Sequence, residues 1–123
     1  MTKTEALHTF FSSFGVDAFA ATSVPHDVML PYLTYEAKTA ALADGEVSLT
    51  VNLWYYTDSE KVPNAKADEI GKAIGAGGVM LRCDDGAIWL KRGSPFCQAM
   101  PVQSDSAIKH RYLNITAEYI TLN

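Results

Sequence analysis

Residues 46–57 read EVSLTVNLWYYT, and the alternation does not break. Val47, Leu49, Val51, Leu53 and Tyr55 take one parity, while Ser48, Thr50, Asn52, Trp54 and Tyr56 take the other. A period of two matches an extended strand, whose successive side chains point to opposite faces. It cannot be laid on a helix without scattering the apolar residues around it. The chain therefore contains a strand with one buried face and one polar face, the latter ending in aromatics.

Other segments repeat the pattern. Residues 31–37 alternate, with Leu33, Tyr35 and Ala37 opposed to Tyr32, Thr34 and Glu36. Asp44-Gly45 marks a turn before 46–57, so the two read as an antiparallel hairpin with one wet side. Residues 79–83 and 87–91 flank Asp84-Asp85-Gly86, a strong hairpin signal. Gly93-Ser94-Pro95 interrupts, and a short strand is expected over 96–102. After the loop 103–106, a long strand runs over 108–122, with Leu113, Ile115, Ala117 and Tyr119 on one face. Residues 16–22 form a weak strand closed by the turn Ser23-Val24-Pro25.

Two segments are helical. Thr2-Lys3-Thr4-Glu5 is a capping box, Leu7, Phe10, Phe11 and Phe14 make one apolar face, and Gly15 stops the helix. The second helix opens near Asp58 or Ser59 and reaches Ile74; Pro63 is tolerated only in a first turn. The glycines that follow, in EIGKAIGAGGVML at 69–81, raise the question of a phosphate loop. Their order argues against it, since a phosphate loop puts glycines before the helix, where free N–H groups face the anion. Gly75 is then a left-handed cap, and Gly77 or Gly78 takes a positive φ. The fold class is α+β in a single domain over 1–123: an antiparallel or mixed sheet with both helices packed on one face.

The chemistry is sparse. At 48% hydrophobic and 20% charged the chain suits a folded globule, and a net charge of −4 disfavours nonspecific nucleic-acid binding. Lys91-Arg92 and Lys109-His110-Arg111 are too short to change that. No apolar run reaches the ~18–20 residues of a membrane span, and the N-terminal residues do not read as a signal peptide. Cys83 and Cys97 lack CxxC spacing, so reduced, packed thiols are expected, with a disulfide only if neighbouring strands carry them. His8, His26 and His110 are too scattered for a zinc site. No serine sits in a Gly-x-Ser-x-Gly elbow. Asp84-Asp85 suits a turn, and Asp68-Glu69 a solvated helix face. The expectation is a non-enzyme with no catalytic residue, metal or cofactor.

Several strings together, LHTFFSSFGVDAFAATSVP, PYLTYE, EVSLTVNLWYY, DEIGKAIGAGG, AIWLKRGSPFCQ and RYLNITAEYI, resemble the tail terminator (tail completion) proteins of long-tailed bacteriophages and prophages. The resemblance covers nearly the whole chain. It implies a subunit that caps the tail tube as a ring, typically of about six copies, ends tail polymerisation and offers a surface for head joining. The implied partners are other copies of itself, the tail tube protein and neck or connector proteins. The implied location is the virion tail, assembled in the bacterial host cytoplasm. A neck or head-tail connector subunit is the nearest alternative. From a different class, a small ligand-binding module or enzyme would need a pocket between helix and sheet. A ring needs contacts between unlike patches, for which Tyr32, Trp54 and Tyr56 and the loops 23–31 and 101–107 are the candidates.

Overall fold

A computed structural model describes all residues, Met1–Asn123. Helix α1 spans Lys3–Phe11 and continues as a short 3-10 turn, Ser12–Phe14. Thr2 caps it as the sequence indicates: its hydroxyl accepts from the Glu5 N–H, while the Glu5 carboxylate accepts from the Thr2 N–H. Gly15 ends the segment in the left-handed region at φ 78. Strands β1 (Asp17–Ala20), β2 (Tyr32–Tyr35) and β3 (Glu46–Tyr56) follow, then α2 (Lys61–Ile74). Strands β4 (Val79–Cys83), β5 (Gly86–Met100) and β6 (Ile108–Thr121) complete the chain.

The six strands form one mixed sheet in the order β1-β2-β3-β6-β5-β4. All pairs are antiparallel except β1 with β2, which is parallel. Helix α2 covers β3, β5 and β6, while α1 lies against both edge strands, β1 and β4. Covering edges with a helix removes an open template for strand addition. The core is a continuous cluster of 19 residues. It joins Leu7, Phe11 and Phe14 of α1 and its 3-10 turn, Ala67, Ile70 and Ile74 of α2, and the inward parity of the strands. Phe11 stacks on Tyr35 at 5.2 Å, and the buried Tyr119 hydroxyl donates to the Lys38 carbonyl.

Several expectations need correction. Strand β2 stops at Tyr35; Glu36 turns aside to accept from the Thr50 N–H and hydroxyl at 2.7 and 2.8 Å. Ala37 is exposed, and Thr34, between β1 and β3, is buried. Residues 86–100 form one strand, not two, because the interruption at 93–96 is absorbed as a bulge between Arg92 and Cys97. Gly93 fits there because a Cβ would lie 2.8 Å from that of Asn114, whose amide donates to the Pro95 carbonyl at 2.7 Å. At the end of α2, Gly75 has φ 78 but ψ 170, so it leaves the helix extended and is not a left-handed cap. The positive φ expected at Gly77 or Gly78 is present, at Gly78 with φ 85. Gly78 is required twice over: a Cβ would come within 2.5 Å of the Leu90 carbonyl and the Trp89 indole nitrogen.

The inward parity of β6 also carries a charge. Arg111 is 3% exposed. Its Nε donates to Asn64 Oδ1 at 2.9 Å, one terminal nitrogen to Glu60, and the other to the His110 carbonyl at 3.2 Å. Glu60 and Asn64 sit one turn apart at the start of α2, so this single side chain ties that helix to the sheet.

Candidate functional site

The two helices occupy the inner face of the sheet, which leaves the outer parity uncovered. On that face the strand register assembles a row of rings. Tyr32 of β2 pairs with Trp54 of β3, Trp54 with His110 of β6, and His110 with Met100 of β5. Ring centroids lie 5.0 Å apart for Tyr32 and Trp54 and 4.8 Å for Trp54 and His110, the latter pair stacked at 17°. Phe19 of β1 extends the row edge-on to Tyr32 at 6.2 Å. Cross-strand aromatic pairs of this kind each contribute about 0.5–1.5 kcal/mol beyond area burial.

Of the three aromatics singled out from sequence, Tyr32 and Trp54 are brought together and Tyr56 is not. Tyr56 stands at the end of β3 beside Ile108, 64% exposed. Tyr32 and Trp54 are half-buried by their row neighbours, not by a helix. Phe19 and His110 were missed, because their membership depends on a register that only tertiary pairing sets. The His110 Nε2–H donates to Asn52 Oδ1 at 2.7 Å. Burial, reinforced by the Arg111 guanidinium, holds its imidazole below the usual histidine range.

The other end of the open face is charged. Glu46 and Glu118 are cross-strand partners, and Lys91 bridges them at 2.6 and 3.0 Å while lying 4.4 Å over the Trp89 ring. The lysine offsets a like-charge pair that would otherwise destabilise the sheet.

The core fills the interior, and open clefts flank it, including one of about 350 Å³ between α1 and β4 and one of about 250 Å³ between α2 and β5. A third, of about 350 Å³, sits between the end of β5, the loop 101–107 and the start of α2, walled by Glu60, Met100, Val102, Lys109 and Arg111. Another, of about 320 Å³, is lined by Thr2, Lys3, Thr4, Thr39, Asp84 and Asp85. No three His, Cys, Asp or Glu side chains converge, and no helix is long and apolar enough to cross a membrane. His8 makes hydrogen bonds to the Tyr35 hydroxyl at 2.8 Å and to Ser12 at 3.2 Å. Cys83 and Cys97 are free thiols. Their strands are neighbours, but Cys83 pairs with Gly86 at the opposite end of β5 from Cys97.

The architecture is thus an α+β fold whose mixed sheet is covered by both helices on one face and uncovered on the other. Among solved structures it is similar to a chain in the virion of a native gene transfer agent particle. The match has a TM-score of 0.61 at 15% sequence identity, covering 94% of this chain and 92% of that one. At that identity the likeness establishes a shared fold. No protein-family profile and no curated protein sequence matches the chain.

Proposed function

We propose that the chain is a structural subunit of a phage-like particle, and within it a tail terminator: a ring-forming cap that ends tail-tube polymerisation and presents a surface for head joining. One observation carries the reading. The fold likeness to the gene transfer agent virion chain runs almost end to end on both sides, and the sequence strings that resemble terminators span the same length. The uncovered aromatic row and the exposed Tyr56 beside it support it, because a monomer gains little from leaving such side chains at its surface. In this reading those side chains supply subunit contacts, and the other partners are the tube protein and a neck protein. No step of the proposed role needs catalysis, a metal or a cofactor.

The test is genetic. Deleting the gene from a phage or prophage that carries it yields overlong or headless tails under the electron microscope. Normal virions from the deletion refute the proposal, and normal-length tails that merely fail to join heads move the chain to the neck.

A further inference from the structure

The row Tyr32, Trp54, His110, Met100 marks one level across the sheet, and a different feature stands at each end of it. Immediately before Tyr32 lies the loop 21–31, which displays Met29 at 79% exposure and Val24 at 37%. Its Asp27 is exposed and makes no ion pair. Beside Met100 lies the cleft of about 350 Å³. Two cations wall it, Arg111 and Lys109, and both reach the same carboxylate, Glu60, which is itself 59% exposed. Lys109 also donates to the Ser106 carbonyl. The cleft therefore carries one excess positive charge within a chain of net charge −4. It also offers apolar surface, with Met100 40% exposed and Val102 beside it.

We infer that this cleft receives the loop 21–31 of a second copy of the chain, with Asp27 facing Lys109, whose charge is the one left over once Arg111 is paired with Glu60, and Met29 against Met100 and Val102. Charge complements charge, since an unpaired carboxylate meets a site with a cation to spare. Apolar complements apolar, and the pliant thioethers suit a contact between unlike surfaces. The loop runs from Ala21, bonded to the Tyr35 carbonyl, back to Tyr32, so its Met29 end and the cleft lie at the same end of the sheet on opposite sides of β3. Copies standing side by side in one orientation would therefore bring loop to cleft. Such a contact joins unlike patches, so each copy keeps a free loop and a free cleft for the next, as a ring requires.

The inference rests on the ring reading above but is tested on the purified chain, apart from any virion. A synthetic peptide of residues 21–31 is titrated into isotope-labelled protein. Shifts at the Lys109 side-chain methylenes and the Met100 methyl are expected, weakening with added salt. The same peptide with Asp27→Lys should bind about tenfold less tightly. In the full chain, Asp27→Lys should weaken self-association in sedimentation, and adding Lys109→Glu should restore it, with circular dichroism checking that each variant folds. If the peptide shifts only residues outside the cleft, or both peptides bind alike, the inference is overturned. A full chain whose self-association ignores Asp27→Lys overturns it equally. A deletion strain with normal virions sinks the terminator role alone, leaving the loop-to-cleft contact standing on the peptide result.

Discussion

Removing the Arg111 side chain tests whether one buried cation holds α2 to the sheet. Breaking a fully buried ion pair costs about 3–5 kcal/mol, because the survivor is stranded without water. Here the survivor is not stranded. Glu60 is 59% exposed against 3% for Arg111, so water replaces the lost guanidinium at the carboxylate. What Arg111→Ala forfeits is the bond to Glu60, the bond to Asn64 and the volume of a long side chain under the start of α2. A hydrogen bond to a charged group contributes about 1.5–3 kcal/mol, and the exposed partner brings the sum below the buried-pair range, to about 2–3 kcal/mol. Urea unfolding reads this directly. With a slope of roughly 1.5 kcal/mol/M, the midpoint should fall by about 1–2 M with the slope unchanged. Glu60→Gln keeps an acceptor but removes the counter-charge of a guanidinium only 3% exposed, so it should also destabilise, by about 1–3 kcal/mol. A loss below about 0.5 kcal/mol for Arg111→Ala would be the value of an ordinary surface change and would refute the anchoring argument.

Three further outcomes are expected. Gly78→Val should cost at least ~2 kcal/mol in the same assay, through positive φ and the 2.5 Å approaches, whereas Gly77→Ala, with open space at its Cβ, should stay within about 0.5 kcal/mol. Burial pushes the Tyr119 hydroxyl up to about 12 from an ordinary 10.0, so its contribution is intact below pH 10.0 and is lost as pH rises from there toward 12. Tyr119→Phe should flatten that alkaline loss at a cost of ~1 kcal/mol near neutrality for the missing bond to Lys38, and an unchanged alkaline profile argues against it. Trp54→Glu should leave a folded protein, weakened by about 1–3 kcal/mol through two lost ring contacts, that no longer caps tails; Tyr56→Glu should melt as the wild type does, and a Trp54→Glu chain that caps normally removes the row from the subunit contact.

Much of the fold was legible because it depends on local pattern. The capping box at Thr2 and Glu5, the Asp84-Asp85 turn and the inward residues of β3 and β6 follow from spacing alone, and the structure has each of them. The parallel pairing of β1 with β2 was not legible, since both strands are four residues long and neither contains a register signal. The bulge at 93–96 read as a break because Gly and Pro punctuate both turns and bulges. What separates the two is whether a neighbouring strand, here β6 at Asn114, continues past the interruption.

The candidate site divides along the same line. Tyr32 and Trp54 were visible as aromatics at polar parity, but their contact with Phe19 and His110 is a property of strand order. Strand β6 passes between β3 and β5 although it comes last in the chain, and this places His110 beside Trp54. Arg111 was hidden by the same parity. Next to Lys109 and His110 it read as part of a basic run, when in fact alternation sends its side chain inward to α2 while His110 turns out to the row. One dipeptide of β6 thus serves both faces of the sheet. The arginine fixes the helix that completes the core, and the histidine extends the surface on which a neighbour would dock. A change in register by a single residue would exchange them, burying the imidazole and placing the guanidinium on the aromatic face. The long pairing of β3 with β6, from Glu46–Glu118 to Tyr56–Ile108, is what prevents that exchange. In this chain the stability of the core and the composition of the open face are therefore set by the same strand pairing.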